Sequence, residues 1–231
     1  MEEQNWKAGI RAGMPTALGY IGIGLACGVI AAPYLNPLEM FLMSVLVYAG
    51  SAQFVMIAMI ALKSSLTDIA LTVFLINIRF FLLSLHTSTF FRKDSLWKNL
   101  AIGSILTDES YGVLLAAQLR GEEPDSAWMV GNNIVSYVSW ALSTTLGTLL
   151  GHLLPNPEMF GLDFALVGMF LGIFSSQFLV MVKKEKLVKI MLILAATAIS
   201  FFGLTMVVSQ SLAVLCATLL GCSVGVMLDG K

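Results

Sequence analysis

Residues 69–90 read IALTVFLINIRFFLLSLHTSTF, an apolar run in which only Arg79 carries a full charge. A helix needs ~20 mostly apolar residues to cross the hydrocarbon core of a bilayer, so this run is long enough to span a membrane. Backbone amides in lipid must hydrogen-bond within their own segment, which favours a helix. Comparable stretches give eight candidate spans, at about 14–32, 40–62, 69–90, 100–119, 129–154, 163–182, 187–208 and 210–228.

The composition of the whole chain supports this prediction. Hydrophobic residues make up 58% of the 231 residues and charged residues 12%, whereas a soluble domain carries about 25% charged residues. We therefore predict an all-α, polytopic membrane helix bundle that forms a single domain over residues 1–231. It has seven or eight spans, because the break at 209–211 is short and uncharged. A net charge of −1 without a basic patch argues against a nucleic-acid partner.

Lysine and arginine are unevenly distributed between the predicted loops, which indicates the orientation of the chain. With eight spans and a cytoplasmic N-terminus, the cytoplasmic segments hold Lys7, Arg11, Lys63, Arg120, Lys183, Lys184, Lys186, Lys189 and Lys231. The opposite side holds Arg92, Lys93 and Lys98, so the loop after the third span conflicts with the rule. The majority of the basic residues predicts a cytoplasmic N-terminus.

A short pattern occurs twice and indicates an internal repeat. NPLEMF at 36–41 precedes SAQF at 51–54, and NPEMF at 156–160 precedes SSQF at 175–178. Transporters often consist of duplicated halves with the substrate bound between them. Gln53 and Gln177, which occupy matching places in the two copies, are therefore candidate substrate contacts. Chance similarity between short apolar strings is the alternative interpretation.

Pairs of glycines one helical turn apart occur in several spans, where they allow two helix backbones to approach closely. Four pairs are present: Gly24/Gly28, Gly147/Gly151, Gly168/Gly172 and Gly221/Gly225. They predict a compact bundle and indicate little about function.

Three charged residues lie where lipid should surround the chain: Arg79 near the middle of the third predicted span, and Asp108 and Glu109 near the middle of the fourth. A lone charge at the bilayer centre costs ~2.5–3.5 kcal/mol. If the hairpin between these spans turns near Ser95, Arg79 and Asp108 differ in depth by only about 4–5 Å. Adjacent acids project ~100° apart on a helix, so Arg79 can neutralise one acid better than the other.

This charged cluster of one guanidinium and two carboxyl groups leaves one negative charge unmatched. A proton or the ammonium group of an amino acid could compensate it, since burial disfavours a charged carboxylate. We hypothesise that Asp108 or Glu109 alternates between these two states during transport. A fixed ion-pair network that only specifies helix packing is the alternative.

A set of uncharged polar residues could complete a substrate site: Tyr48, Ser51, Gln53, Asn77, Asn132 and Asn133. Gly50 permits a kink, and 49–51 is a candidate helix break, because broken helices free backbone groups that bind substrates in transporters. For each of these residues, hydrogen bonding between helices is the competing role.

The sequence predicts neither a metal site nor a cofactor. Cys27, Cys216 and Cys222 are scattered through apolar stretches, and His86 and His152 have no second ligand nearby. Glycines 22 and 24 follow no strand and precede no Gly-Lys-Ser/Thr, so they do not form a nucleotide-binding loop.

Five strings in order resemble the AzlC family, the large subunit of a two-component exporter. They are GMP at 13–15, the glycine-rich residues 22–28, MS at 43–44 leading to YAGSAQF at 48–54, NIR at 77–79 and TDE at 107–109. The resemblance covers roughly residues 9–180. The family often has a further polar residue after the arginine, whereas Phe80 follows Arg79 here, so we assign no role to that position.

The resemblance implies export of leucine, isoleucine, valine or related analogues, driven by protons, across a bacterial cytoplasmic membrane. It also implies a small hydrophobic partner subunit of the AzlD type. The residues alone leave two other classes open. One is an intramembrane enzyme, although the sequence contains neither metalloprotease-like ligand spacing nor a nucleophile with a nearby base. The other is a structural membrane subunit without a transport pathway. We expect a transporter and not an enzyme.

Overall fold

The computed structural model describes residues 2–153, 171, 174–175, 178–179, 181–183, 185–208 and 210–229. Every regular element among these residues is an α-helix, which confirms the all-α prediction. The chain divides into two compact units, Met1–Val167 and Gly168–Lys231, and each is described by itself. The first unit contains α1 (Glu2–Ala31), α2 (Pro37–Leu46), α3 (Gly50–Ala61), α4 (Leu66–Ser88), α5 (Leu96–Ser104), α6 (Asp108–Leu119) and α7 (Ser126–Gly151). The second contains α8 (Leu187–Leu204) and α9 (Gln210–Asp229).

Polar side chains fix where most of these helices begin. Asn36 and Glu39 form a reciprocal capping box at the start of α2, with Pro37 in its first turn. Ser65 and Ser95 cap α4 and α5 more simply, because each side chain accepts one backbone N–H bond. Each cap satisfies a donor that the helix itself leaves free. The turn predicted near Ser95 is therefore confirmed.

Two predicted spans are broken. The span at 40–62 consists of α2 and α3, separated at 47–49, which overlaps the candidate break predicted at 49–51. For the other span, the prediction of a continuous helix is wrong. The span at 100–119 consists of α5 and α6, which are bent by 120°. Asp108 and Glu109 consequently lie in the first turn of α6 and not near the middle of a helix. A capping box of Thr107 and Ser110 forces this new start.

The number of spans is smaller in the described part of the chain than hydropathy suggested. Four helices are long and apolar enough to cross a membrane: α1, α4, α7 and α8. The bent pair α5–α6 makes five if it counts as one span. The predicted span at 163–182 lies largely outside the described residues, so the total of seven or eight stays a prediction, as does the single domain.

The glycine pairs of α1 and α7 meet each other. A Cβ atom on Gly28 would overlap the carbonyl oxygen of Thr144, and one on Gly147 would overlap the carbonyl oxygen of Leu25. The two backbones are thus in direct contact, and the predicted close packing is confirmed for this pair of helices. It provides a firm frame from which side chains of α1 and α7 extend toward the helix breaks.

Candidate functional site

Arg79 connects the two helix breaks of the first unit. Its Nη2 atom donates a 2.9 Å hydrogen bond to Ser51 Oγ in the first turn of α3. The same atom lies 3.0 Å from Asp108 Oδ2 in the first turn of α6. The aromatic ring of Phe80 lies 5.0 Å from the guanidinium carbon, so the residue after the arginine also contacts the cation.

The position of Arg79 in α4 places this cluster near the middle of a candidate membrane span. Arg79 lies 13 residues after Leu66 and 9 residues before Ser88, the ends of α4. At a rise of ~1.5 Å per residue, it is about 20 Å from one end of the span and about 14 Å from the other. A charge at this depth needs compensation, and Asp108 supplies it.

Glu109 has a different environment from its neighbour Asp108. The Tyr20 hydroxyl of α1 donates a 2.6 Å hydrogen bond to Glu109 Oε2 and lies 3.0 Å from Thr107 Oγ1. Among the ion pairs in the described part of the chain, none involves Glu109. The arginine therefore neutralises Asp108, while a neutral donor holds Glu109. If both acids are ionised, the charged cluster carries one net negative charge.

Tyr20 is a site residue that the sequence analysis missed. Its side chain is buried, and its ring packs edge-on against Trp140 with 5.2 Å between the ring centroids. A signal existed, because a tyrosine in the middle of an apolar helix needs a hydrogen-bond partner for its hydroxyl. The sequence could not show that the partners are Thr107 and Glu109, which lie 87 and 89 positions away.

Tyr48 lies in the α2–α3 break, beside the same cluster. Its ring packs edge-on against Tyr137, with the centroids 4.8 Å apart. Its hydroxyl is buried and forms no hydrogen bond of good geometry, but it lies close enough to Tyr20, Thr107 and Glu109 to interact with them. Tyr48 thus adds a polar group to the surroundings of Glu109.

Gln53 holds the α2–α3 break together. Its Nε2 atom donates to the carbonyl oxygens of Met43 (3.1 Å) and Val47 (2.7 Å), near the end of α2. Its Oε1 atom accepts a 2.8 Å bond from Trp140 Nε1 and a longer one from Ser44 Oγ. The side chain is fully buried. These contacts correspond to the competing role, hydrogen bonding between helices.

Asn132 and Asn133 of α7 hold the α5–α6 break in a similar way. Asn132 Nδ2 donates to the carbonyl oxygen of Ser110 (2.9 Å), and Asn133 Nδ2 donates to that of Ile102 (3.0 Å). Both side chains are fully buried. One asparagine therefore binds each half of the bent helix pair, which stabilises the bend.

The other predicted site residues are distributed as follows. Gly50 is the first residue of α3, and a Cβ atom on it would lie 3.0 Å from the Trp140 ring, so the glycine permits a close approach. Asn77 lies on α4, and its Oδ1 atom is buried without a hydrogen bond. Gln177, and with it the second copy of the repeat, lies outside the described residues. Within the described ranges, no cluster of three or more His, Cys, Asp or Glu side chains could hold a metal ion.

Comparison with known proteins shows which family the chain belongs to. The sequence pattern of the family described as AzlC protein matches residues 15–154, more than half of the chain. Inner membrane protein YgaZ of Escherichia coli (strain K12) is 35% identical over 151 residues, which cover 62% of this chain and 60% of YgaZ. No solved structure matches the chain.

More distant relatives agree. An uncharacterized membrane protein of Helicobacter pylori (strain J99) is 27% identical over 165 residues, 70% of each chain. One of Haemophilus influenzae is 24% identical over 177 residues, 75% of this chain and 71% of the relative. These relatives are named as membrane proteins, and together with the family match they support a transporter-like role in a membrane. The matched region contains Arg79, Asp108, Glu109 and both helix breaks. The chain belongs to the AzlC family.

Proposed function

We propose that this protein is a secondary transporter subunit that exports branched-chain and related apolar amino acids in exchange for protons. The observation that carries the proposal is the charged cluster of Arg79, Asp108 and Glu109, located between two helix breaks at mid-depth. Broken helices at the membrane midplane are how many secondary transporters bind their substrates. The proposal assigns no catalytic reaction to these residues.

The cluster has groups for both ends of an amino acid. Arg79 Nε is buried and makes no hydrogen bond in the structure, so it is free to donate to a substrate carboxylate. Glu109 has no cationic partner among the described residues and can accept the substrate ammonium. An apolar side chain then faces aromatic residues close to the α2–α3 break, such as Tyr48 in the break and Trp140 of α7.

Proton coupling follows from the unmatched negative charge. At this depth a bare carboxylate is unfavourable, so either a proton or an ammonium group must compensate it. The two cannot occupy the same carboxylate together. Substrate moving outward and a proton moving inward would therefore alternate at one site, which is exchange.

A partner and a location complete the proposal. Large apolar side chains of α4 are exposed in the isolated chain, among them Phe74 (63%), Phe81 (68%) and Leu82 (62%). Lipid or a small hydrophobic subunit of the AzlD type would cover such a surface. We propose the bacterial cytoplasmic membrane as the location, with the N-terminus in the cytoplasm.

Flux measurements test this function. The chain is reconstituted into liposomes with and without its partner subunit, and exchange of radiolabelled leucine is followed under an imposed pH gradient. We expect flux that the gradient accelerates, that a protonophore removes and that unlabelled valine or isoleucine reduces by competition. Arg79→Gln should abolish it, whereas Arg92→Gln, the same change in an exposed turn, should not. A leucine flux absent under all these conditions would refute the proposal and favour a structural subunit.

A further inference from the structure

The two adjacent acids of α6, Asp108 and Glu109, have different binding partners. Asp108 Oδ2 lies 3.0 Å from Arg79 Nη2, which also donates to Ser51. Glu109 Oε2 instead accepts the hydroxyl of Tyr20 at 2.6 Å. A single guanidinium cannot serve both acids, because neighbouring residues project ~100° apart on a helix. The structure therefore distinguishes the acid that pairs with Arg79 from the acid that binds Tyr20, a distinction that the sequence does not make.

Protonation has different consequences at the two acids. A proton on Asp108 would break the ion pair and separate the Arg79 cation from the remaining carboxylate, Glu109, which does not contact it; such a separation is unfavourable inside a membrane. A proton on either acid makes the cluster electrically neutral, but only a proton on Glu109 leaves the Arg79–Asp108 ion pair intact. The state that an inward-moving proton creates is thus far less costly at Glu109.

We propose that Glu109 is the carboxylate that exchanges a proton for the substrate ammonium, and that Tyr20 is its positioning residue. Asp108 remains paired with Arg79 throughout. The inference rests on the proposed function and specifies the coupling group within that site. In the exchange, Glu109 releases its proton to water on the cytoplasmic side, and the substrate, which already carries an ammonium group, donates N–H bonds to the resulting carboxylate. On the outer side the substrate leaves and Glu109 takes up one proton.

Tyr20 is suited to a positioning role because it stands on the rigid part of the first unit. It belongs to α1, whose backbone contacts α7 directly, and its ring is packed against Trp140. Its hydroxyl contacts Oε2, which leaves Glu109 Oε1 for the proton or the ammonium. Thr107, the residue before the helix, lies within 3.0 Å of the same hydroxyl and fixes the start of α6.

The groups around Glu109 come from several elements. Tyr20 faces it from α1, Tyr48 from the α2–α3 break and Asp108 from the same turn of α6. Arg79 of α4 contacts Asp108 and not Glu109. The nearest cation is therefore already engaged, and the side chains directly against Glu109 are neutral or acidic. An ammonium group of a substrate would be its first cationic partner.

Reconstituted full-length chain with its partner subunit tests this assignment through the pH dependence of leucine flux. We expect Glu109→Gln to transport leucine more weakly and without any response to the pH gradient. Asp108→Asn should keep a gradient response wherever it retains flux. Glu39→Gln is the matched control, since Glu39 is also a first-turn glutamate but lies in a capping box of α2. It should behave as the unaltered chain does.

Tyr20→Phe gives a second measurement that does not depend on removing an acid. The variant lacks a hydrogen bond to the carboxylate of Glu109, and bonds to charged groups change an equilibrium by about tenfold or more. We expect the pH of half-maximal flux to move upward by about one pH unit, with the gradient response retained. An unshifted profile would refute the positioning role, because a change that only affected packing would lower flux at every pH.

The possible outcomes distinguish a failure of the Glu109 assignment from a failure of the proposed transport function. A chain that moves no leucine overturns both. A chain whose gradient-driven flux survives Glu109→Gln and disappears in Asp108→Asn overturns only the assignment of Glu109. If Glu109→Gln does not yield folded protein, judged by gel filtration, the Tyr20→Phe profile decides the matter alone.

Discussion

Replacing Gln53 with leucine should destabilise the α2–α3 break strongly. Gln53 is fully buried and is the hydrogen-bond acceptor of the Trp140 indole N–H at 2.8 Å. In Gln53→Leu that donor is stranded in the core, which costs ~1–3 kcal/mol. The carbonyl oxygens of Met43 and Val47 each lose one bond but keep a backbone donor, so each contributes only ~0.5–1.5 kcal/mol. The expected loss in the free energy of unfolding is about 4 kcal/mol.

Unfolding by SDS in mixed micelles, followed by circular dichroism, measures this loss. Gln118→Leu on α6 is the matched control, because the structure shows no side-chain hydrogen bond for Gln118, and it should shift the transition little. In a Trp140→Phe background the penalty of Gln53→Leu should fall, since the stranded donor is gone. Equal effects of the two Gln→Leu changes, or an unchanged penalty in that background, would refute the reasoning.

Two further changes test the packing and the surface of the first unit. Gly28→Val places side-chain atoms against the backbone of α7 and should reduce stability by about 3 kcal/mol in the same assay. Gly22→Val is the control and should be tolerated, because a Cβ atom on Gly22 meets nothing within 4 Å. Similar losses in both variants would contradict the role of the α1–α7 contact. Glu122 accepts a 2.6 Å bond from Arg120, and this bond and the Glu122 charge raise the pKa of Arg120. The stability this gives is complete below the ordinary pKa of arginine and is lost only as the pH rises above it. The difference in thermal midpoint between Glu122→Gln and the unaltered chain should therefore be small and constant between pH 5 and pH 9, and a pH-dependent difference in that window would contradict this.

Part of the site was accessible from local sequence. The break at 49–51 was predicted from Gly50 among polar neighbours, and α3 does begin there. The depth of Arg79 followed from the length of the apolar run that became α4. The contact between Arg79 and Asp108 also occurs, although the continuous helix from which it was argued does not exist. These features depend on neighbouring residues, which a sequence shows directly.

The second break was not accessible in that way. Residues 104–107 include neither proline nor glycine, although Gly103 precedes them, and the hydropathy of 100–119 is that of a continuous span. Their break is stabilised by Thr107 with Ser110 and by Asn132 and Asn133 of a distant helix. Mean hydropathy over a stretch of sequence averages such residues together. It does not show which backbone carbonyl oxygen accepts a hydrogen bond from the side-chain amide of a distant asparagine.

The sequence by itself determined that the chain is helical and lies in a membrane, because apolar runs of this length can satisfy their backbone only as helices in lipid. It also determined that a guanidinium and two carboxyl groups had to be compensated inside the bundle. Only the tertiary structure decided which acid Arg79 binds and that Tyr20 holds the other. Those choices depend on the bend between α5 and α6 and on contacts between residues up to 89 positions apart. Separations of that size are set by how helices pack, and packing is a property of the whole bundle.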